Sequence, residues 1–131
     1  MNQAHADTFG KLLLRMTLGA LLLFHGVAKI TKGVSGIEGM VVSAGLPGYV
    51  AYGVYIGEVI APLMLILGVW ARAGAAIVVA NMVFAVYLVH QGDLLKLNGT
   101  GGWALELQAF YFFTALAILF FGPGRIALTR H

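Results

Sequence analysis

The sequence predicts an all-α fold, a transmembrane four-helix bundle with both termini in the cytoplasm. Of its 131 residues, 60% are apolar and only 10% are charged, with a mean hydropathy of +0.92, whereas soluble domains carry about 25% charged residues. Crossing the hydrocarbon core takes about 20 mostly apolar residues. Such stretches occur at roughly 9–31, 49–70, 72–91 and 103–122. The short connections between them favour a single compact domain over residues 1–131.

The first span follows a short polar leader, and its apolar run is longer than that of a cleavable signal peptide, so we expect it to remain as a helix. Residues 31–49 after it are rich in glycine and are interrupted by Pro47. This segment is too polar to cross a membrane. It predicts a short interfacial helix around Ile37–Ala44.

The second span starts near Tyr49, and Pro62 predicts a kink in its second half. The tight turn at 68–74 makes the second and third spans neighbours. The third span extends to about His90, and residues 91–102 form a loop on the extracytoplasmic side.

The fourth span begins at Trp103 and ends at the "GPGR" of 122–125, where glycine and proline terminate a helix. An even number of spans places both termini on one side of the membrane. That side holds Lys11, Arg15, Arg72, Arg125 and Arg130, against Lys29, Lys32 and Lys96 on the other. The excess of basic residues predicts that both termini are cytoplasmic. We therefore expect a multi-pass protein of the bacterial inner membrane, in contact with the lipid bilayer.

Composition also excludes several classes of function. The chain has no cysteine, which removes thiol nucleophiles and cysteine-ligated clusters. Its net charge of +3 is scattered, so no nucleic-acid surface is expected. No metal-ligand spacing is present. Haem held between His25 and His90 is disfavoured, because the two residues would lie at different depths in the membrane.

Ionisable residues within the spans are the candidates for function, because a charge at the bilayer centre costs about 2.5–3.5 kcal/mol on insertion scales. Glu58 is the deepest of them, about 13 Å from the end of its helix at 1.5 Å per residue. It is either protonated or paired with a basic residue of the first span. The alternative is a structural acid that ties two helices together.

His25 and Lys29 are separated by one helical turn and share a face of the first span. Arg15 falls near the same stripe at heptad spacing. Each has a structural alternative: Lys29 and Arg15 can extend toward the membrane surface, and His25 can be a core histidine bonded to a carbonyl.

Most polar side chains of the spans fall in the middle or in the extracytoplasmic half of the membrane. This asymmetry predicts a polar pocket that opens outward and binds a substrate. The predicted substrate-binding residues are Arg15, His25, Lys29, Tyr55, Glu58, Asn81 and Glu106.

Four blocks of the sequence, taken in order, resemble the DoxX family of membrane proteins. They are "RMTLGALLLFHGVAKI" (15–30), "AGLPG" (44–48), "GEVIAPLMLILGVWARAGA" (57–75) and "GGWALELQAFYFFTALAILFFGPGRIAL" (101–128). The resemblance implies a four-helix membrane fold. It also implies that Arg15, His25, Gly26, Lys29, Glu58 and Glu106 occupy family positions. Named relatives include a subunit of a thiosulfate:quinone oxidoreductase and a component of an oxidative-stress complex.

These observations leave three functions open. The first is a redox-associated subunit that binds a quinone or a small substrate in the pocket and relies on a partner for electron storage. The second is a small proton-coupled transporter or permease, for which a homodimer is expected. The third is a membrane scaffold for an oxidoreductase complex. The sequence leaves the cofactor unknown, and a quinone is the candidate that fits the first function.

Overall fold

The structure, a computed structural model, describes residues 2–33, 35–88, 96–97 and 101–129. The predicted positions of His90, Arg130 and most of the 91–102 loop lie outside the described residues. The described chain is helical, with a single antiparallel bridge between Leu97 and Trp103. Its α-helices are α1 (Gln3–Lys32), α2 (Ser35–Ser43), α3 (Gly53–Tyr55), α4 (Ala61–Leu67), α5 (Ala71–Leu88) and α6 (Glu106–Phe121).

Helix α1 begins six residues before the predicted span, because polar groups of the leader cap and extend it. The Asn2 side chain accepts a hydrogen bond from the His5 amide at 2.9 Å, which satisfies an unpaired donor of the first turn. At its other end Gly33, with φ 76°, donates its amide to the Lys29 carbonyl at 2.8 Å. Glycine adopts this left-handed conformation at little cost and ends the helix.

The second span is one composite helix (Gly48–Leu67) built from segments of different winding. A 3₁₀ turn at Gly48–Tyr52 leads into α3, a π turn at Ile56–Ile60 follows, and α4 completes the span. Pro62 was predicted to kink the helix. The structure has a π turn at Ile56–Ile60, two residues before Pro62, where proline offers no amide to the Glu58 carbonyl and its ring crowds that carbonyl.

Among the described residues, three segments are long and apolar enough to cross a membrane: α1, the composite helix and α5. The predicted fourth span is shorter than expected, since α6 has 16 residues. Trp103 bridges to Leu97, and the Ala104 amide bonds to the Lys96 carbonyl at 3.0 Å. These contacts hold the start of the predicted span in a turn, so that the helix begins only at Glu106.

The short helix predicted around Ile37–Ala44 is present as α2 (Ser35–Ser43). Four helices contribute to one apolar core, whose buried members are Leu18, Leu22, Ala61, Leu65, Ala71, Ala75, Val78, Met82, Tyr111, Ala115 and Ile118. Large apolar side chains such as Phe24, Phe110 and Phe120 are more than two-thirds exposed. A surface of this kind is expected of a protein whose solvent is lipid.

Candidate functional site

A pocket of about 360 Å³ lies between α1, α2, the composite helix, α5 and α6. Its apolar walls include side chains of Leu22, Ile37, Met40, Phe84, Leu88 and Leu107, and its polar groups are those of His25, Lys29, Glu58, Asn81, Gln108 and Tyr111. Small-molecule sites have volumes of about 300–1,000 Å³ and combine apolar walls with a few polar groups. The pocket meets both criteria.

An ion pair joins α1 to the composite helix in this pocket. Lys29 Nζ lies 3.1 Å from Glu58 Oε2, and the two side chains are 27% and 12% exposed. Although the distance is short, Oε2 accepts no hydrogen bond of good geometry from the described residues. Lys29 therefore compensates the charge of the carboxylate, while the buried Oε2 atom retains unused hydrogen-bonding capacity.

Lys29 is held in place through its backbone as well as its side chain. Its carbonyl accepts the Gly33 amide at 2.8 Å and the Tyr55 hydroxyl at 3.2 Å. Tyr55 thus satisfies part of the hydrogen-bonding need at the end of α1 and ties that end to the composite helix. The Tyr55 side chain therefore stabilises the position of Lys29 next to the pocket but does not line the pocket itself.

Glu58 reaches the pocket because the π turn rotates the residues of this segment about the helix axis. A π turn inserts an extra residue into each turn and is often found at functional sites. The backbone of the same turn packs directly on Gly26, where a Cβ atom would contact the Glu58 carbonyl oxygen and would lie 2.7 Å from its carbonyl carbon. Only glycine permits this approach of α1 to the composite helix.

His25 and Tyr111 form a second polar pair, which joins α1 to α6. His25 Nε2 lies 3.4 Å from the Tyr111 hydroxyl, and the two rings meet edge to face with centroids 5.9 Å apart and an interplanar angle of 84°. Tyr111 is buried, with 7% of its surface exposed. Each ring can donate a hydrogen bond or accept one, depending on the histidine tautomer.

Asn81 contributes from α5 and packs over Gly57. A Cβ atom on Gly57 would lie 2.6 Å from Asn81 Oδ1 and 2.7 Å from Asn81 Cβ. The small residue at this position of the π turn lets α5 approach closely enough for the Asn81 amide to line the pocket.

The structure brings together His25, Lys29, Glu58 and Asn81 of the predicted binding residues, with Tyr55 adjoining them. It does not bring Arg15 or Glu106 to the pocket. Glu106 is exposed at the start of α6, beside Gly102. The binding roles predicted for both remain predictions that the geometry does not favour.

Arg15 instead holds the last described segment of the chain. Its side chain is 1% exposed. Nε donates to the Leu65 carbonyl at 3.0 Å, while Nη1 donates to the carbonyls of Pro123 at 2.6 Å and Ile126 at 2.7 Å. At 1.5 Å per residue it lies about 15 Å along α1 from His25. The guanidinium is therefore committed to backbone carbonyls far from the pocket.

Tyr111 and Gln108 were not among the predicted binding residues. On the same helix, the Phe110 and Phe113 side chains are 73% and 63% exposed. The available signal was the three-residue spacing of Gln108 and Tyr111, which puts two polar groups on one face of an otherwise apolar helix.

Comparisons with known proteins agree with the motif resemblance. A family model described as DoxX matches residues 10–91. The chain is 30% identical over 118 residues to a Haemophilus influenzae protein named "Uncharacterized protein", with 88% of this chain and 84% of that protein covered. It is also 30% identical over 119 residues to a Bacillus subtilis protein named "Putative oxidoreductase CatD", with 91% and 84% covered. The comparison with solved structures gave no significant match.

Proposed function

Because this chain belongs to the DoxX family, we propose that it is a redox-associated membrane protein that binds a quinone or a small substrate in the pocket between α1 and α6. One observation carries this proposal. Two polar pairs, Lys29–Glu58 and His25–Tyr111, line a single apolar cavity of about 360 Å³. The name of the Bacillus subtilis relative supports the assignment to redox chemistry.

The two polar pairs match the chemical needs of a quinone ring. A quinone offers two carbonyl oxygens as hydrogen-bond acceptors on opposite sides of a flat apolar ring. The Lys29 ammonium and the His25–Tyr111 pair supply donors. On oxidation of the quinol, a base must accept each proton. Glu58 and His25 are the groups in the pocket that can do so.

In this proposal, the electrons taken from a quinol must be accepted by another molecule or protein subunit. The chain has no cysteine, and the described residues contain no group of three or more metal-ligating His, Asp or Glu side chains. We propose that electrons pass to a second bound molecule or to an oxidoreductase partner subunit. A homodimer would provide two such pockets in one assembly.

We further propose that α6 crosses the bacterial inner membrane with the other three helices, which places both termini in the cytoplasm. Because the natural chain has no cysteine, single cysteines can be introduced at Gln3 and Ser35, both exposed. We expect a membrane-impermeant maleimide added to intact spheroplasts to label Ser35→Cys and to spare Gln3→Cys until the membrane is opened. Labelling in the reverse order would invert the topology.

Glu58→Gln tests the binding proposal. The substitution keeps the shape of the side chain and removes its charge, and a hydrogen bond to a charged group contributes about 1.5–3 kcal/mol. We expect the affinity of the protein in nanodiscs for a short-chain quinol to fall about tenfold or more, as measured by titration calorimetry. The matched control is Glu38→Gln on α2, a carboxylate that does not line the pocket.

The control should keep the affinity of the unmodified protein within a factor of two. Unchanged affinity in Glu58→Gln would remove this carboxylate from the site. If the unmodified protein binds neither quinone nor quinol, the quinone proposal fails as a whole.

The ion pair also favours a second function, that of a proton-coupled transporter. A carboxylate buried in a membrane helix beside a lysine can alternate between a paired and a protonated state as a substrate crosses. Proteoliposomes distinguish the two functions. Uptake of a small metabolite driven by a pH gradient and lost in Glu58→Gln supports transport, whereas quinol binding without uptake supports the redox function.

A further inference from the structure

A second groove adjoins the pocket on the side of α5 and α6. It has a volume of about 270 Å³ and is lined by residues including Val83, Val86, Ala109, Phe112 and Phe113. Apart from the Trp103 indole and the Gln108 amide, none of its lining side chains carries nitrogen or oxygen. The groove is therefore suited to a hydrocarbon chain and not to a polar ring.

The groove and the pocket share two of their walls. Met82 and Gln108 line both cavities. Met82 is an unbranched and adaptable side chain, and it stands with Gln108 where the polar cavity meets the apolar one. A molecule whose polar head lies beside Glu58 could pass a chain between these two residues.

The far side of the groove is open at the apolar surface of the protein. Val83 is 57% exposed and Phe113 is 63% exposed, both on helices whose apolar surface suits a bilayer. With about 270 Å³, the groove is smaller than the roughly 300 Å³ at which pockets for whole small molecules begin. Its size suits one part of a larger ligand.

We propose that the ligand of this protein is a lipid-soluble molecule with a hydrocarbon tail, and that the tail leaves the pocket between Met82 and Gln108 and lies in the α5–α6 groove. This inference rests on the proposed function, since it places the polar head in the pocket described above. It narrows the ligand class from quinones and small substrates in general to molecules that carry a hydrocarbon tail and enter from the bilayer.

Photolabelling tests where the tail lies. The probe is a benzoquinone with a decyl chain that ends in a diazirine, added to the full-length protein in nanodiscs. We expect mass spectrometry to find the label on groove residues such as Val83 and Phe113, and an excess of unlabelled decylquinone to suppress it. Label confined to α1 or α2, or labelling at the groove that decylquinone does not suppress, would overturn the proposal.

A groove-filling variant gives an independent test. Ala109 lines the groove and does not line the pocket, so the ring of Ala109→Phe should occupy the path of the tail. We expect binding of decylquinone to weaken about tenfold while binding of the tail-less benzoquinone changes less than twofold. The matched control, Ala76→Phe on the exposed face of α5, should leave both affinities unchanged.

The outcomes separate this inference from the proposed function. In one outcome the unmodified protein binds both quinones while Ala109→Phe loses affinity for both equally, or for neither, and the label lies outside the groove. That result would overturn only the proposed path of the tail. Failure of the unmodified protein to bind either quinone sinks the proposed function and the tail path together. A diazirine phospholipid that labels the groove and resists competition by decylquinone would assign the groove to structural lipid.

Discussion

Gly26→Ala is expected to destabilise the protein by about 3 kcal/mol, a large effect for a single added methyl group. The new Cβ would overlap the Glu58 carbonyl oxygen and lie 2.7 Å from the carbonyl carbon and 2.8 Å from Val59 Cγ2. The obstruction is mainly backbone, which cannot rotate away as a flexible side chain can. Helix α1 would have to move away from the composite helix, and Lys29 would move with it.

This displacement predicts a functional loss alongside the loss of stability. If the Lys29–Glu58 pair opens by even an ångström, binding at the pocket should weaken about tenfold or more. Thermal unfolding of the purified protein in nanodiscs gives the first effect, and quinol titration at a temperature where the variant remains folded gives the second.

The same helix provides a matched control at Gly10. A Cβ atom added there meets nothing within 4 Å, so Gly10→Ala should leave the fold intact. It should raise stability by up to about 1 kcal/mol, since alanine favours the helix over glycine. Equal melting temperatures for the Gly26 variant and the unmodified protein would contradict the close approach described for α1 and the π turn.

Arg15→Met is expected to cost about 3 kcal/mol or more, because it leaves three carbonyls without their charged donor. Those carbonyls belong to Leu65, Pro123 and Ile126, and they converge from the end of α4 and from the segment after α6. Methionine fills the volume of the side chain but donates no hydrogen bond. We expect residues 122–129 to detach, which proteolysis near Arg125 would report.

Two further variants define the role of Arg15. Arg125→Met removes a charge from an exposed position in the same segment and should change the melting temperature little. Arg15→Lys keeps the charge but loses the forked guanidinium, so we expect an intermediate loss of stability. It should weaken quinol binding less than His25→Ala or Lys29→Ala does. A greater loss of binding in Arg15→Lys would move the site to the other end of the helices.

The depth of Glu58 in its span limited what its side chain could do. A short carboxylate near the middle of a span cannot reach the membrane surface, so Glu58 was expected to be either protonated or paired with a basic residue of the first span. In the structure the basic partner is Lys29, whose Nζ lies 3.1 Å from Glu58 Oε2. Arg15 was placed on the same stripe by heptad spacing. The spacing of basic residues along one helix does not reveal which of them contacts an acidic residue on a neighbouring helix.

The sequence by itself determined the membrane class, the helical fold, the order of the apolar segments and the family, since all four depend on composition, run length and linear motifs. Only the tertiary structure decided that Tyr111 faces His25, that Arg15 serves the chain's last described segment, and that Gly26 lies against the Glu58 carbonyl. These facts depend on the π turn before Pro62 and on the rotation of each helix about its axis. In a bilayer, hydropathy is nearly uniform around a helix, so packing and not the apolar pattern sets that rotation.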